Sequence, residues 1–151
     1  MEYYIFYSLF LLLSFFDLFE KRFSVKSPFY LVILLALSFF IGFRERGIGG
    51  DFVDYERLYN NILTQPMGLY EPGYYYLNKL FSSFFMFDFH VFLFFYTLTY
   101  LFLMFKSFPK YAYPFIALLI FYSNYLLVTM VNTRQILALS ICFFSIRYIL
   151  K

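Results

Sequence analysis

Residues 28–43 read PFYLVILLALSFFIGF, a run without charged side chains that begins with a proline, a residue favoured in the first turn of a helix. A helix needs about 20 mostly apolar residues to cross a bilayer, with a lower limit near 17. Similar runs occur on both sides of this one, and the predicted spanning helices are residues 3–19, 28–43, 91–105, 111–131 and 136–150. The sequence therefore predicts an all-α, polytopic integral membrane protein.

The composition of the whole chain also belongs to a membrane protein. Of the 151 residues, 26 are Phe, 17 are Tyr and only 14% are charged, whereas about a quarter of the residues of a soluble domain are charged. A soluble globule of this size cannot hide so many apolar side chains in one core, which excludes a soluble enzyme, a secreted factor and a disordered linker. The net charge of +3 is too small to suggest a nucleic-acid partner, and the single cysteine, Cys142, gives no disulfide or metal cluster.

Polar residues are concentrated in residues 44–88, between the second and third predicted helices. Within this segment, residues 77–87 are apolar but too few to span a bilayer. We interpret them as a re-entrant or interfacial helix, or as an extension of the third spanning helix, which is expected to begin before Asp88. The chain is therefore predicted to be a single membrane domain, residues 1–151, with residues 44–88 as its long extracytoplasmic loop.

The orientation follows from the distribution of Lys and Arg, which favour the cytoplasmic side. With the loop at residues 20–26 inside, seven basic residues lie inside and five outside. The inner set is Lys21, Arg22, Lys26, Lys106, Lys110, Arg147 and Lys151, and the outer set is Arg44, Arg46, Arg57, Lys79 and Arg134. This count predicts a multi-pass protein with its N-terminus outside and its C-terminus inside.

The same orientation gathers the unusual polar residues on the outer side. They are Arg44, Arg46, Asp51, Asp54, Glu71, Arg134 and Gln135. Each also has a simple structural interpretation: the first two arginines can snorkel from a helix end to the interface, the two aspartates can be solvated or paired with Arg46 or Arg57, and Glu71 can belong to a helix start. His90 has no second ligand near it in the sequence, so a polar contact at the interface is favoured over a metal site.

Arg134 has the strongest case for a function. Asn132 or Thr133 is a natural N-cap, so Arg134 falls in the first turn of the fifth predicted helix, where a cation opposes the helix dipole. Free backbone N–H groups beside an arginine make a good anion site, and the guanidinium fork suits phosphate and carboxylate groups. The sequence therefore favours an anion-binding role over snorkelling.

Three short motifs together resemble a known family. They are Arg44-x-Arg46-Gly47 followed by Gly50-Asp51-x-x-Asp54-Tyr55, then Glu71-Pro72-Gly73-Tyr74, and finally Asn132-Thr133-Arg134-Gln135-x-Leu137-Ala138. This ordered set resembles the EpsG family, bacterial polytopic proteins of exopolysaccharide and capsule clusters that are similar to Wzy-type O-antigen and capsular polysaccharide polymerases. The resemblance runs from about residue 28 to the end. Family members usually have ten or more spanning helices, so the chain is expected to be an N-terminal fragment.

The resemblance implies glycosyl transfer at the outer face of the bacterial cytoplasmic membrane. The implied donor is a polyprenyl-diphosphate-linked oligosaccharide, and the acceptor is the hydroxyl of another lipid-linked repeat unit. Flippase and chain-length regulator proteins are implied as partners beside the lipid bilayer, with no metal, nucleotide or other cofactor. The implied roles are catalytic base for Asp51, Asp54 or Glu71, and diphosphate binding for Arg44, Arg46, Arg134 and Gln135.

Two other functions stay open from the sequence. One is a GT-C type glycosyltransferase that uses a polyprenyl-phosphate sugar, which metal dependence would distinguish because such enzymes commonly use a metal. The other is a non-catalytic membrane subunit of polysaccharide assembly, an alternative that gains weight if the chain is a truncated product. If the chain is complete, the expected activity is that of a polysaccharide polymerase.

Overall fold

The structure is a computed structural model that describes residues 4, 7–8, 11–15, 28–45, 51–64, 66, 71–107, 113, 115–117, 119–120 and 133–149. The helices that lie wholly within these ranges are α1 (Pro28–Gly42), α2 (Phe52–Asn60), α3 (Pro72–Ser83), α4 (Phe89–Ser107) and α5 (Thr133–Ile149). No strand occurs in the described ranges. The prediction of an all-α protein is confirmed for this part of the chain.

Helices α1, α4 and α5 coincide with three of the five predicted spanning helices. Among the described residues, only α4 is both long and apolar enough to cross a membrane, while Leu31–Gly42 and Arg134–Ile146 are shorter apolar helices. The predicted spans at residues 3–19 and 111–131 lie mostly outside the described residues. Five spanning helices therefore stay a prediction.

The start of α4 corrects the expectation that the third spanning helix begins before Asp88. The helix begins at Phe89, and Asp88 acts as its N-cap: its Oδ2 accepts a hydrogen bond from the backbone N–H of His90 at 3.1 Å, which satisfies one of the unpaired donors of the first turn. Just before it, Met86 has a φ of 51° and turns the chain. Because α3 ends at Ser83, it is a separate helix, and the interpretation of residues 77–87 as an extension of the third helix is wrong.

The segment at residues 44–88 contains two helices, one of which the sequence analysis did not predict. In α2 the buried residues Phe52, Tyr55, Leu58 and Tyr59 recur at helical spacing and form an apolar face. The Tyr59 hydroxyl donates a hydrogen bond to the Phe87 carbonyl at 2.8 Å. Burial, helped by the charge of Asp88, raises the pKa of Tyr59 to about 12, so the hydroxyl keeps its proton at neutral pH. In the part of residues 44–88 that the structure describes, α2 therefore packs against the core.

Helix α4 lies at the centre of the described core and packs against α1, α2 and α5. Helix α1 approaches α4 closely at Gly42, where a Cβ atom would lie 2.8 Å from both the Cα and the backbone N of Phe94. Close approach of helix backbones at small residues is a common basis of helix packing in membranes. Gly42 therefore sets the distance between these two helices.

We predict that Gly42→Ala destabilises the protein because the added methyl group meets backbone atoms that cannot rotate away. The expected loss is about 1–3 kcal/mol in the free energy of unfolding, the usual cost of overpacking. Denaturation of the purified protein in detergent, followed by circular dichroism, measures it. Gly73→Ala is the matched control: its Cβ would meet nothing within 4 Å, so it should be neutral or slightly stabilising. Equal stability of the two variants would contradict the packing argument.

Candidate functional site

A cleft of about 380 Å³ lies between α3, α4 and α5. One wall of the cleft is formed by α3 and the residue before it, and the opposite wall is formed by α5. Helix α4 forms the floor. These residues are Glu71, Gly73, Tyr74 and Leu77, then Tyr96, and then Arg134, Gln135, Leu137, Ala138 and Ile141. The charged side chains and the Gln135 amide come from the N-terminal ends of α3 and α5, so they share one end of the cleft, which we call the mouth.

An ion pair crosses the mouth of the cleft. Arg134 Nη1 donates a hydrogen bond to Glu71 Oε2 at 2.6 Å, and the two side chains are 33% and 64% exposed. Glu71 stands at the N-cap position of α3, where its carbonyl accepts the hydrogen bond of Tyr75 N–H at 3.0 Å, but its side chain makes no capping bond. The carboxylate reaches α5 instead, so the first turns of the two helices are held together by this pair.

Tyrosine side chains surround the guanidinium of Arg134. Its Nε–H donates to the Tyr55 hydroxyl at 3.3 Å, and its central carbon lies 5.4 Å from the Tyr55 ring centroid and 6.0 Å from that of Tyr74. Tyr74 in turn packs edge-to-face on Tyr96, with ring centroids 6.0 Å apart. Aromatic faces attract cations, so the rings and the Tyr55 hydroxyl hold the guanidinium in one orientation while it stays open to the cleft.

The electrostatics of the mouth keep Glu71 ionised. A hydrogen bond from its own backbone N–H and then the Arg134 guanidinium hold the pKa of the Glu71 carboxyl below its usual range. Burial raises the pKa of the Tyr74 hydroxyl, which therefore stays protonated. At neutral pH the mouth carries one cation and one anion, and Tyr74 is neutral.

The other predicted site residues that the structure describes, Arg44, Asp51 and Asp54, do not line the cleft. Arg44 is buried, with Nη1 donating to the Ile41 carbonyl at 3.1 Å and the guanidinium 5.0 Å from the Phe52 ring. A cation on the last carbonyls of a helix is a common C-terminal cap. Arg46 lies outside the described residues. Of the predicted diphosphate-binding residues, the structure therefore places Arg134 and Gln135 in the cleft and Arg44 at the end of α1.

The two aspartates are on or beside α2. Asp51 stands at the N-cap position without a side-chain capping bond, and Asp54 forms an exposed ion pair with Arg57 at 3.7 Å. Pairing of Asp54 with Arg57 was one of the structural interpretations open from the sequence. Glu71 is thus the one predicted base that lines the cleft, and catalytic roles for Asp51 and Asp54 stay predictions.

His90 makes a structural contact. Its Nδ1 lies 3.1 Å from the Gly42 carbonyl, which can only accept, so this nitrogen carries the proton. The ring stacks on Phe43 at a centroid distance of 5.9 Å. Within the described ranges, no group of three or more His, Cys, Asp or Glu side chains could hold a metal ion.

Sequence reasoning missed the tyrosines that support Arg134. Tyr55 and Tyr74 stand in the quoted motifs, directly after Asp54 and Gly73, but nothing in their spacing assigns them to Arg134. Tyr96 lies in none of the motifs. The one indication in the sequence is its hydroxyl in the middle of an apolar helix, where a polar group without a partner costs free energy.

The comparison with known proteins agrees with these features. The chain belongs to the EpsG family, whose model matches residues 27–151, and this range contains the described cleft lining and helices α1 to α5. Among the curated proteins and the solved structures, nothing matches the chain. The family resemblance and its extent are therefore confirmed, and the chain is a membrane protein of polysaccharide biosynthesis.

We predict that the Glu71–Arg134 pair contributes to stability in a pH-dependent way. Because the pKa of Glu71 is lower in the folded state, the contribution is fully present above the unfolded-state pKa of about 4.3 and is lost as the pH falls through the lower folded-state value. Glu71→Gln should cost at most about 1 kcal/mol at pH 7, since solvent screens the exposed carboxylate. The difference from the wild type should shrink as the pH falls below about 4.

Thermal unfolding of the wild type and Glu71→Gln in detergent, measured at pH 7 and at a pH below about 4, tests this pH dependence. The matched control is Asp54→Asn, which breaks the more exposed and longer ion pair with Arg57 and should change stability by little at either pH. A Glu71→Gln effect that is independent of pH, or no larger than that of the control, would show that the pair does not hold α3 to α5.

Proposed function

We propose that the chain carries out polymerase-type glycosyl transfer between polyprenyl-diphosphate-linked repeat units, at the outer face of the bacterial cytoplasmic membrane, in exopolysaccharide or capsule biosynthesis. The observation that carries this proposal is the position of Arg134: a partly exposed guanidinium in the first turn of α5, at the mouth of a cleft. Membership of the EpsG family, which is similar to Wzy-type polymerases, supports the same assignment.

Arg134 is suited to hold the diphosphate of the donor. Among the described contacts, its guanidinium uses the Nε–H on Tyr55 and one Nη1–H on Glu71, so both Nη2–H groups and the second Nη1–H are available to a ligand. The first backbone N–H groups of α5 lack helical partners, and the helix dipole favours an anion beside them. A diphosphate at this point would accept both sets of hydrogen bonds.

The reaction needs two kinds of group, and the mouth offers both. The acceptor hydroxyl oxygen forms a bond to the anomeric carbon of the donor, the bond from that carbon to the diphosphate oxygen breaks, and its electron pair leaves on the diphosphate. Arg134 stabilises the negative charge that develops there. The hydroxyl proton passes to a carboxylate acting as general base, for which Glu71 is the candidate in the cleft.

Substrate binding would also prepare Glu71 for this role. In the free protein its own backbone N–H and then the Arg134 guanidinium lower the pKa of Glu71, which makes the carboxylate a weak base. When a diphosphate shares the positive charge of Arg134, the contribution of the guanidinium weakens and the pKa of Glu71 rises. The base therefore becomes stronger when the donor is in place.

The test is Arg134→Lys, which keeps the charge but loses the planar fork. Loss of a hydrogen bond that stabilises the leaving group costs about 2–4 kcal/mol, or roughly 30- to 1,000-fold in rate. Polymer is measured on gels from a strain whose own polymerase is deleted and which expresses the complete protein that contains this chain, because the chain alone is expected to be a fragment that does not restore polymer. We expect a strong reduction with Arg134→Lys and a larger one with Arg134→Ala.

The matched control for this test is Arg57→Lys, at an exposed arginine of α2 whose described ion pair is with Asp54. Polymer formation should stay near the wild-type level, and membrane expression should be the same for all variants. Wild-type polymer from Arg134→Ala at normal expression would refute the diphosphate role. Absence of polymer from the complete wild-type protein would count against the proposed polymerase activity.

The outer position of the mouth is tested by cysteine labelling. On a Cys142→Ser background, an impermeant thiol reagent added to intact cells should label Asn60→Cys, at the end of α2, and should leave Ser24→Cys unlabelled. The reason is the bias of basic residues toward the predicted inner side. The reverse pattern of labelling would place the cleft mouth in the cytoplasm and would be incompatible with transfer at the outer face.

A further inference from the structure

The polarity of the cleft lining decreases with distance from the mouth. At the mouth are Arg134, Glu71 and Gln135, whereas the remaining lining is apolar except for two tyrosine hydroxyls. Leu137, Ala138 and Ile141 follow Arg134 at spacings of three, four and seven residues, so they continue its stripe along one face of α5. With a rise of 1.5 Å per residue, Ile141 lies about 10 Å further along the helix axis than Arg134.

In the predicted orientation, this stripe of α5 residues runs from the outer surface into the bilayer. In the predicted orientation α5 begins at the outer surface, so the cleft runs from a charged mouth near the headgroups to an apolar end at the depth of the hydrocarbon. A sugar does not suit the apolar end, because its hydroxyl groups would lose water without gaining enough hydrogen-bond partners. A hydrocarbon chain does suit it, because such a chain needs no polar partners.

We propose that the apolar part of the cleft holds the first isoprene units of the donor's polyprenyl chain while its diphosphate lies on Arg134. This proposal rests on the proposed function and adds to it the place and direction of the lipid. The groups at the mouth select the occupant: the Arg134 guanidinium, which Glu71 balances in the free protein, and the N-terminus of α5 favour an anionic headgroup, and the apolar end beyond them favours a hydrocarbon chain. The volume of about 380 Å³ is near the lower limit for small-molecule pockets, enough for a short part of the chain.

Ala138 is the residue that leaves this space open. It lines the cleft between Arg134 and Ile141, and its side chain is small and exposed. A phenylalanine at this position would fill the cleft below the mouth without removing any group that touches the diphosphate. Ala138→Phe therefore separates binding of the chain from binding of the headgroup.

The experiment compares inorganic pyrophosphate with dimethylallyl, geranyl and farnesyl diphosphates by calorimetry on the protein in nanodiscs. In the wild type, the Kd for geranyl diphosphate should be at least about tenfold lower than the Kd for pyrophosphate. This increase in affinity is only part of what the burial of ten carbons away from water can provide. In Ala138→Phe the pyrophosphate Kd should be unchanged and the gain from the chain should disappear. Ile141→Phe, at the far end, should remove only the gain from geranyl to farnesyl.

Leu139→Phe is the matched control, because Leu139 is exposed on α5 but does not line the cleft. It should keep the wild-type dependence on chain length. If that dependence is the same in Ala138→Phe as in the wild type, the gain reflects partition into lipid, and the inference is overturned. If Ala138→Phe also weakens pyrophosphate binding, the test rests on Ile141→Phe. The inference is overturned if farnesyl diphosphate still binds more tightly than geranyl diphosphate to Ile141→Phe by the same factor as to the wild type.

The failure of this inference differs from the failure of the proposed function. Pyrophosphate binding that is lost in Arg134→Ala but not increased by any prenyl chain would overturn the lipid site and leave the diphosphate site intact. Absence of binding by pyrophosphate and by all three prenyl diphosphates, or binding that Arg134→Ala does not change, would remove the diphosphate site and the lipid site together.

Discussion

The candidate site depends on how the charge of Arg134 is compensated. A cation in the first turn of a helix is opposed by the helix dipole, and in an apolar protein it also needs partners to replace water. Glu71 supplies the opposite charge at 2.6 Å, and Tyr55 supplies a hydroxyl and an aromatic face. These partners come from α2 and from the residue before α3, so compensation of one charge ties α2 and α3 to α5 and fixes the geometry of the cleft mouth.

The segment between α1 and α4 is the support for this arrangement. Its two helices pack on the core through buried aromatic residues, and Tyr59 is bonded to the turn before α4. Because the segment is folded, Glu71 and Tyr55 are presented at defined positions. Arg44 belongs to the same support: it bonds the end of α1 and lies over Phe52. The diphosphate-binding role that the sequence analysis gave Arg44 stays a prediction.

The cleft has a charged end and an apolar end, and a lipid-linked substrate likewise has a charged headgroup and an apolar chain in one molecule. At the mouth a fixed cation and the N-terminus of α5 favour an anionic headgroup, while the depth is lined by aliphatic and aromatic side chains. In the proposed function an anionic donor would compete with Glu71 for Arg134, so the contact that joins α3 to α5 in the free protein would also contribute to the basicity of the candidate base. Structure and proposed chemistry therefore depend on one pair of residues.

The sequence by itself determined the membrane class, the positions of α1 and α4 to within a few residues, and the family, because hydropathy and short motifs are local properties of the chain. It also singled out Arg134 and Glu71, since each breaks a local expectation for a membrane helix or its start. Only the tertiary structure decided that these two residues meet, 63 positions apart, that Tyr55, Tyr74 and Tyr96 surround or extend the site, and that Arg44 caps α1 away from the cleft. The physical reason is that such contacts depend on how α2, α3 and α5 pack around α4, through close approaches such as Gly42 on Phe94, and no local pattern encodes that packing.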